Sequence, residues 1–255
     1  MKVLLLGATG NLGSRILPAL LTHGHTVTAY VRSAQKLQSL LPEAVFRRIT
    51  IVQGDATDVS AIKEAILSSK CDAVVTAAGV AAMAPWAKSD LPKIFRAILE
   101  AVRQAGSERG RPYRFWCLGG TGVLYYPGTQ SMLSSYMPVF LEHRQNVALL
   151  RNLPPGSVDW SMLCPGNMTP ESSDFSVPTK TSQGKLIAQA ASPPSWHHLW
   201  VRFIPLIGRS IEMAINFGRY DTTLEQNAEL IAADLEEGHD SRFVGTTVGI
   251  ISGAQ

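Results

Sequence analysis

The first thirteen residues constrain the fold more than any other stretch of this chain. Residues 3–6, Val-Leu-Leu-Leu, have the length and apolar character of a buried strand. Gly7, Gly10 and Gly13 follow at three-residue spacing. An apolar face then runs through Ile16, Leu17 and Leu20, which predicts a helix with Asn11 as its cap. Strand, glycine turn and helix form the context that a dinucleotide fingerprint requires. In that reading Gly7 allows the tight turn, Gly10 lets the backbone approach a pyrophosphate, and Gly13 lets the helix pack close to the strand. The amides at the helix start then face the phosphate charge. The alternative is a structural turn without a ligand.

The alternation continues downstream. Strands are expected at Thr26–Val31, residues 49–53, residues 72–76, Arg114–Leu118, residues 159–163 and residues 243–251. Helices are expected at residues 33–41, from a cap at Asp58 or Ser60 through residue 67, and at residues 91–104, 140–150 and 223–235. This pattern predicts an α/β fold, a doubly wound parallel sheet whose post-strand loops gather along one edge. Residues 171–194 are rich in Ser, Thr and Pro and read as a loop or a mobile lid. Residues 196–217 are strongly apolar, interrupted by Pro205 and Gly208. Within them Trp200, Phe203, Ile204 and Ile207 have helical spacing and are expected first in the core, and second in a lid or a dimer face.

Composition narrows the class. A chain of 255 residues that is 45% apolar can bury a sizeable core. Net charge is only +3 and the basic residues are scattered, so nucleic acid is not an expected partner. Cys71, Cys117 and Cys164 are odd in number and far apart, which argues against a disulfide framework and fits a reducing compartment. The initial apolar run is too short for a signal-peptide core, and no run approaches the ~18 apolar residues of a membrane span. A cytoplasmic protein without membrane contact is the expectation. His197 and His198 are adjacent, with no carboxylate or thiolate cluster nearby, so no metal site is expected.

The end of the second strand bears on the cofactor. Sites specific for NAD place an acid there to bond the ribose hydroxyls, and residues 29–34 contain none. Arg32, with Ser33 and Lys36, suits a 2′-phosphate instead, which favours NADP. The alternative for Arg32 is a solvated loop residue.

The string Gly7-Ala8-Thr9-Gly10-Asn11-Leu12-Gly13 resembles the atypical short-chain dehydrogenase/reductase family, in particular its NmrA-like, NAD(P)H-binding branch. The resemblance implies one Rossmann domain over residues 1–255, with a small substrate cap formed mainly by residues 167–222. It implies cofactor contacts from Gly7, Thr9, Gly10, Asn11, Leu12 and Gly13. Asp55, followed by Ala56, resembles the family aspartate that contacts the adenine, although a turn role fits it equally. Ala77-Ala78-Gly79 resembles the family's Asn-Ala-Gly stretch beside the cofactor, with Ala77 in place of Asn. Gly119 opens the glycine turn after the fifth strand, and Pro165-Gly166-Asn167-Met168 resembles the Pro-Gly turn beside the nicotinamide.

The same resemblance frames the catalytic candidates. Active members carry a Ser or Thr after the fifth strand and a Tyr-x-x-x-Lys on the next helix. Thr121 falls in the serine region and is a candidate to orient a carbonyl. The Tyr-x-x-x-Lys is absent: Val139 stands at the tyrosine position and His143 at the lysine position. His143 either holds the nicotinamide ribose or relays a proton, or it is a helix-face histidine. Tyr136 shares a face with His143 if the helix begins early enough. Tyr125 and Tyr126 are rival proton donors, and each tyrosine is alternatively a packing residue. The expected function is an NADP-dependent oxidoreductase acting on a carbonyl or conjugated alkene of a mid-sized apolar substrate. The alternatives are a dinucleotide-sensing regulator without turnover, or a non-redox isomerase or cyclase on the same fold. A homodimer is a further expectation.

Overall fold

In the computed structural model, which describes residues 1–171 and 186–253, strand β1 (Lys2–Leu6) divides its side chains between two cores. Leu4 and Leu6 enter one core, Val3 and Leu5 the other, and each is 1% exposed or less. That period-two split marks a strand buried on both faces. At about 1.5–3 kcal/mol for each fully buried aliphatic side chain, this short run is among the strongest local contributions to the fold.

The first half of the chain winds outward from β1. Helix α1 (Gly13–Thr22) leads to β2 (Thr26–Val31), then to α2 (Ala34–Leu40), the short α3 (Glu43–Phe46) and β3 (Thr50–Gln53). Helix α4 (Val59–Ser68) returns the chain to β4 (Ala73–Thr76), on the other side of β1. Helix α5 (Leu91–Arg109), β5 (Arg114–Leu118), α6 (Glu142–Arg151) and β6 (Asp159–Cys164) continue in that direction. The remainder comprises β7 (Met168–Thr169), β8 (Leu186–Ala190), α7 (Gly208–Phe217), β9 (Thr222–Thr223), α8 (Leu224–Glu237) and β10 (Thr246–Ser252).

The main sheet has eight strands in the order β3-β2-β1-β4-β5-β6-β10-β8, with every neighbouring pair parallel except β10 and β8. Helices α1 and α8 pack together in one layer, and α4, α5 and α6 form the other. The expected doubly wound α/β fold is therefore present. The winding reverses between β1 and β4, and in open sheets of this kind ligands bind at the carboxyl edge beside that point.

A buried ion pair ties the layers together. Arg114 on β5 donates to Asp234 on α8 at 2.6 Å, and Trp116 donates to the same carboxylate oxygen at 2.8 Å. Ser241 donates to the other oxygen, so the buried carboxylate is satisfied on both sides.

Several local expectations are corrected. Leu12, not Asn11, holds the cap position of α1; the Asn11 carbonyl instead accepts from the Ser14 hydroxyl and the Arg15 guanidinium. Ser33 and Asp58 do cap, their side chains accepting from the amides of Lys36 and Ala61. Helix α6 begins at Glu142 rather than at residue 140, because Phe140 adopts φ +52°, outside the right-handed helical region. The expected loop at 171–194 contains β8, which closes the sheet edge antiparallel to β10. The lid reading of residues 172–185 lies outside the described residues. Trp200, Phe203 and Ile207 are not core: they are 76%, 75% and 55% exposed. Pro205 and a left-handed Leu206 interrupt the helical spacing on which the core reading relied.

Candidate functional site

The glycine turn after β1 sits at the winding reversal, and its three glycines are required for different reasons. Gly7 has φ +85°, and a Cβ there would stand 2.6 Å from the Ala77 carbonyl carbon and the Ala78 nitrogen. A Cβ on Gly13 would stand 2.0 Å from the Gly7 carbonyl oxygen. Both positions are closed by the protein's own backbone. A Cβ on Gly10 would meet only the Gly7 oxygen, at 3.3 Å, and otherwise faces open space. Glycine at position 10 thus leaves a bare stretch of backbone facing the cleft, where a pyrophosphate can lie against it.

That cleft has a volume of about 630 Å³. Gly7, Thr9 and Gly10 form its floor, Arg32, Lys36, Asp55 and Ala56 one wall, and Ala77, Ala78 and Gly79 the other. Leu12, the cap of α1, and Gly13, its first residue, are buried, Asn11 is exposed beside the turn, and Ser33 is occupied in capping α2. Among the described residues, the Arg32 guanidinium and the Lys36 ammonium have no hydrogen-bond or ion-pair partner. Asp55 is organised by its own turn: its Oδ1 accepts from the amide and hydroxyl of Thr57, both at 2.7 Å. Those bonds, with the nearby charges of Arg32 and Lys93, hold its carboxyl below the usual range. Lys93, in the first turn of α5, is a third cation on the cleft, and no sequence motif marked it.

A second cleft, of about 530 Å³, continues from the first; Ala78, Gly79, Val80 and Leu91 line both. Its walls are mainly apolar, with Met83, Phe95, Leu118, Val123, Val139 and Phe217 among them. The glycine turn from Gly119 to Thr121 and the turn expected beside the nicotinamide, Pro165 to Met168, face into it. So does His143. A Cβ added to Gly120 would stand 3.3 Å from the imidazole Cδ2, so the glycine turn after β5 lies directly against the ring. Burial pushes the His143 pKa down to about 4, against the opposing charge of Glu142. The ring is therefore neutral at physiological pH, and its buried Nδ1 has no hydrogen-bond partner in the structure.

The other catalytic candidates are engaged elsewhere. The Thr121 hydroxyl, expected to orient a carbonyl, donates here to the Pro165 carbonyl at 2.7 Å. Tyr136 lies before α6, not on it, and does not share a face with His143; its hydroxyl accepts from Arg209 at 2.5 Å. Tyr125 lines a separate surface depression with Ala191 and Ser192, and Arg151 stacks on its ring at 4.6 Å. Tyr126 donates to buried Glu212, and burial with that carboxylate pushes its pKa up to about 12. None of these tyrosines lines the apolar cleft.

The structure adds one group that no motif signalled. Ser134, 2% exposed, lines the apolar cleft, and its hydroxyl has no partner. A Cβ on Gly122 would stand 3.3 Å from the Ser134 Cβ. Gly120 and Gly122 therefore present opposite ends of one three-residue turn to His143 and Ser134. Two residues of chain span at most about 7 Å, so both side chains belong to the same end of the cleft. Buried polar groups are normally paired, and two unpaired ones in one apolar cleft mark where a polar atom of a ligand fits.

The remaining polar candidates are structural. Cys164 is fully buried, and burial pushes its thiol up to about 12, which suits a packing residue. Among the described residues no cluster suited to a metal ion exists, and no helix is long and apolar enough to cross a membrane.

A family model described as NAD(P)H-binding matches residues 7–190. The Bacillus subtilis protein YwnB is 28% identical over 173 residues, covering 65% of this chain and 71% of that one. A short-chain dehydrogenase/reductase from Veillonella parvula, solved in complex with NADP, shares the fold with TM-score 0.61 and 13% identity, covering 99% of this chain and 95% of that one. ChuY, an anaerobilin reductase from Escherichia coli O157:H7, shares it with TM-score 0.60 and 16% identity, covering 100% and 98%.

Proposed function

Because this chain belongs to the NAD(P)H-binding family, we propose that it is an NADP-dependent oxidoreductase of the NmrA-like branch of the atypical short-chain dehydrogenase/reductases, reducing a carbonyl or conjugated alkene of a mid-sized apolar molecule. The observation that carries this reading is the continuity of the two clefts through Ala78, Gly79, Val80 and Leu91. A molecule in the apolar cleft would lie against the end of the dinucleotide cleft.

The residues fit the cofactor. The turn from Gly7 to Gly13 would hold the pyrophosphate, Arg32 and Lys36 the 2′-phosphate, and Asp55 with Ala56 the adenine end. Bound NADPH supplies the hydride. The chain supplies a water-poor pocket and two hydrogen-bonding groups. The Ser134 hydroxyl can donate to a substrate oxygen, and neutral His143 offers one N–H and one lone pair. Donors placed where oxygen charge develops stabilise it most in such surroundings. Of residues 167–222, the cap in this reading, Asn167, Met168 and Phe217 line the apolar cleft and Leu186–Ala190 belongs to the main sheet.

A second reading, dinucleotide binding without turnover, draws on the engagement of Tyr125, Tyr126 and Tyr136 away from the cleft. One experiment separates the two. NADPH oxidation is followed with a panel of aryl aldehydes, quinones and enones, using the native protein and Ser134→Ala. Turnover that falls about 10²-fold in the variant, with NADPH affinity unchanged, supports the reductase. Saturable NADPH binding with no turnover across the panel assigns the protein to the second reading.

A further inference from the structure

The stretch from residue 195 to residue 220 combines exposed apolar side chains with charge of one sign. Trp200 is 76% exposed, Phe203 75%, Leu206 103%, Ile207 55% and Ile215 53%. Leu206 adopts φ +66°, a left-handed conformation that is uncommon for a non-glycine residue, and its side chain stands wholly in water. Soluble surfaces carry scattered apolar residues, but a contiguous group of large ones marks a contact surface. Arg202, Arg209 and Arg219 are interleaved with it, Arg209 donating to the Tyr136 hydroxyl at 2.5 Å and Arg219 to the Ser195 carbonyl at 2.9 Å. The one carboxylate in the stretch, Glu212, is fully buried and accepts from Tyr126, from Trp196 at 3.3 Å and from the Leu199 amide at 2.5 Å. Within residues 195–220 no carboxylate is exposed, and the nearest exposed one in the chain is Asp221.

We propose that this surface docks the protein on an anionic lipid bilayer. Charge separates this occupant from a second copy of the chain. A two-fold dimer through this face would set the patch against itself, arginine facing arginine, with no exposed acid in the stretch to answer them. A bilayer bearing phosphate headgroups answers both features. Trp200, Phe203 and Leu206 enter the boundary between headgroups and chains, and the arginines lie at headgroup level. The contact is interfacial, since no described helix can span. Helix α7, which follows the exposed loop, also contributes Phe217 to the apolar cleft. Docking therefore sets the cleft beside a phase in which apolar molecules are concentrated.

Sedimentation with vesicles tests the proposal on the full chain. Vesicles of pure phosphatidylcholine are compared with equimolar phosphatidylcholine and phosphatidylglycerol. Binding to the anionic vesicles is expected to be about tenfold stronger or more and to weaken with salt. The double variant Trp200→Ser/Leu206→Asp is expected to lose that binding about tenfold or more while keeping its circular dichroism and thermal midpoint, because both positions are exposed. No sedimentation with anionic vesicles, or equal binding by the double variant, overturns the proposal. So does a native protein that is dimeric by light scattering and becomes monomeric in the variant, which assigns the surface to a second copy. None of these readouts depends on NADPH turnover.

Discussion

Glu142 and Ser89 are 53 residues apart in the chain and joined twice in space: the Glu142 carboxylate accepts from the Ser89 amide at 2.6 Å and from its hydroxyl at 2.7 Å. The Ala82 amide donates to the same carboxylate at 2.8 Å. The loop between β4 and α5, which borders both clefts, is thereby tied to the first turn of α6, and the next residue of that turn is His143. Burial by itself would raise the Glu142 pKa, but the bonds from Ala82 and Ser89 outweigh it and hold the carboxyl below its usual range.

Removing that tie leaves the donors of Ala82 and Ser89 without their acceptor. Glu142→Ala is expected to cost about 1.5–3 kcal/mol of stability, read from urea denaturation. It should also weaken NADPH binding measured by calorimetry, because Ala78, Gly79 and Val80 would lose their fixed position. Unchanged affinity would show that the loop holds its place without Glu142.

The low pKa of His143 gives stability a defined acid dependence. Its folded value of about 4 lies below the ordinary 6.5, so the unfolded chain takes up the proton first as pH falls. Its contribution is therefore complete above about pH 6.5 and is lost progressively down to about pH 4. At pH 5 the loss amounts to about 2 kcal/mol. Denaturation midpoints at pH 7 and pH 5 should differ by less in His143→Leu than in the native protein. An identical difference in both proteins would place the acid sensitivity elsewhere.

In the proposed function Arg32 meets the 2′-phosphate that distinguishes NADPH from NADH. Arg32→Ala is expected to weaken NADPH by about 1.5–3 kcal/mol, the range for hydrogen bonds to charged groups, and to leave NADH nearly unaffected. Equal losses for both in parallel titrations would refute a 2′-phosphate contact.

The sequence displayed the sheet because most of its strands are buried and apolar, and runs such as residues 3–6 and Thr26–Val31 announce themselves. Strand β8 carries no such signal: Leu-Ile-Ala-Gln-Ala lies at an edge, where Ile187, Gln189 and Ala190 are exposed. Periodicity misled at Trp200 and Phe203, since spacing alone cannot register that Pro205 and a left-handed Leu206 break the helix. The glycine turn was legible because it is a local backbone requirement, met at Gly7 and Gly13 by close backbone contacts. The engagement of Thr121 with Pro165, and of Tyr126 with Glu212, depends on partners 44 and 86 residues away. Ser134 lies in an unremarkable run and becomes notable only where the fold leaves its hydroxyl unpaired.

The glycines of the first turn predict two distinct failures. Gly13→Ala drives a methyl group to 2.0 Å from the Gly7 oxygen, so the variant is expected to lose its thermal transition or to melt far earlier. Gly10→Val meets one tight contact in the protein, the Gly7 oxygen at 3.3 Å from its Cβ, far milder than the 2.0 Å at Gly13, so it should fold with a modest loss of stability and fail to bind either dinucleotide. A folded Gly10→Val that binds NADPH normally would dismiss the turn as a phosphate site.

That asymmetry turns the fingerprint into a record of use. Position 13 is enforced by the architecture, so any descendant that kept this strand and helix would keep its glycine, whatever it had come to do. Position 10, in the proposed function, is enforced from outside, by the pyrophosphate that would lie against it. A lineage that abandoned its dinucleotide would be released at position 10 first, and the letter found there would date the loss.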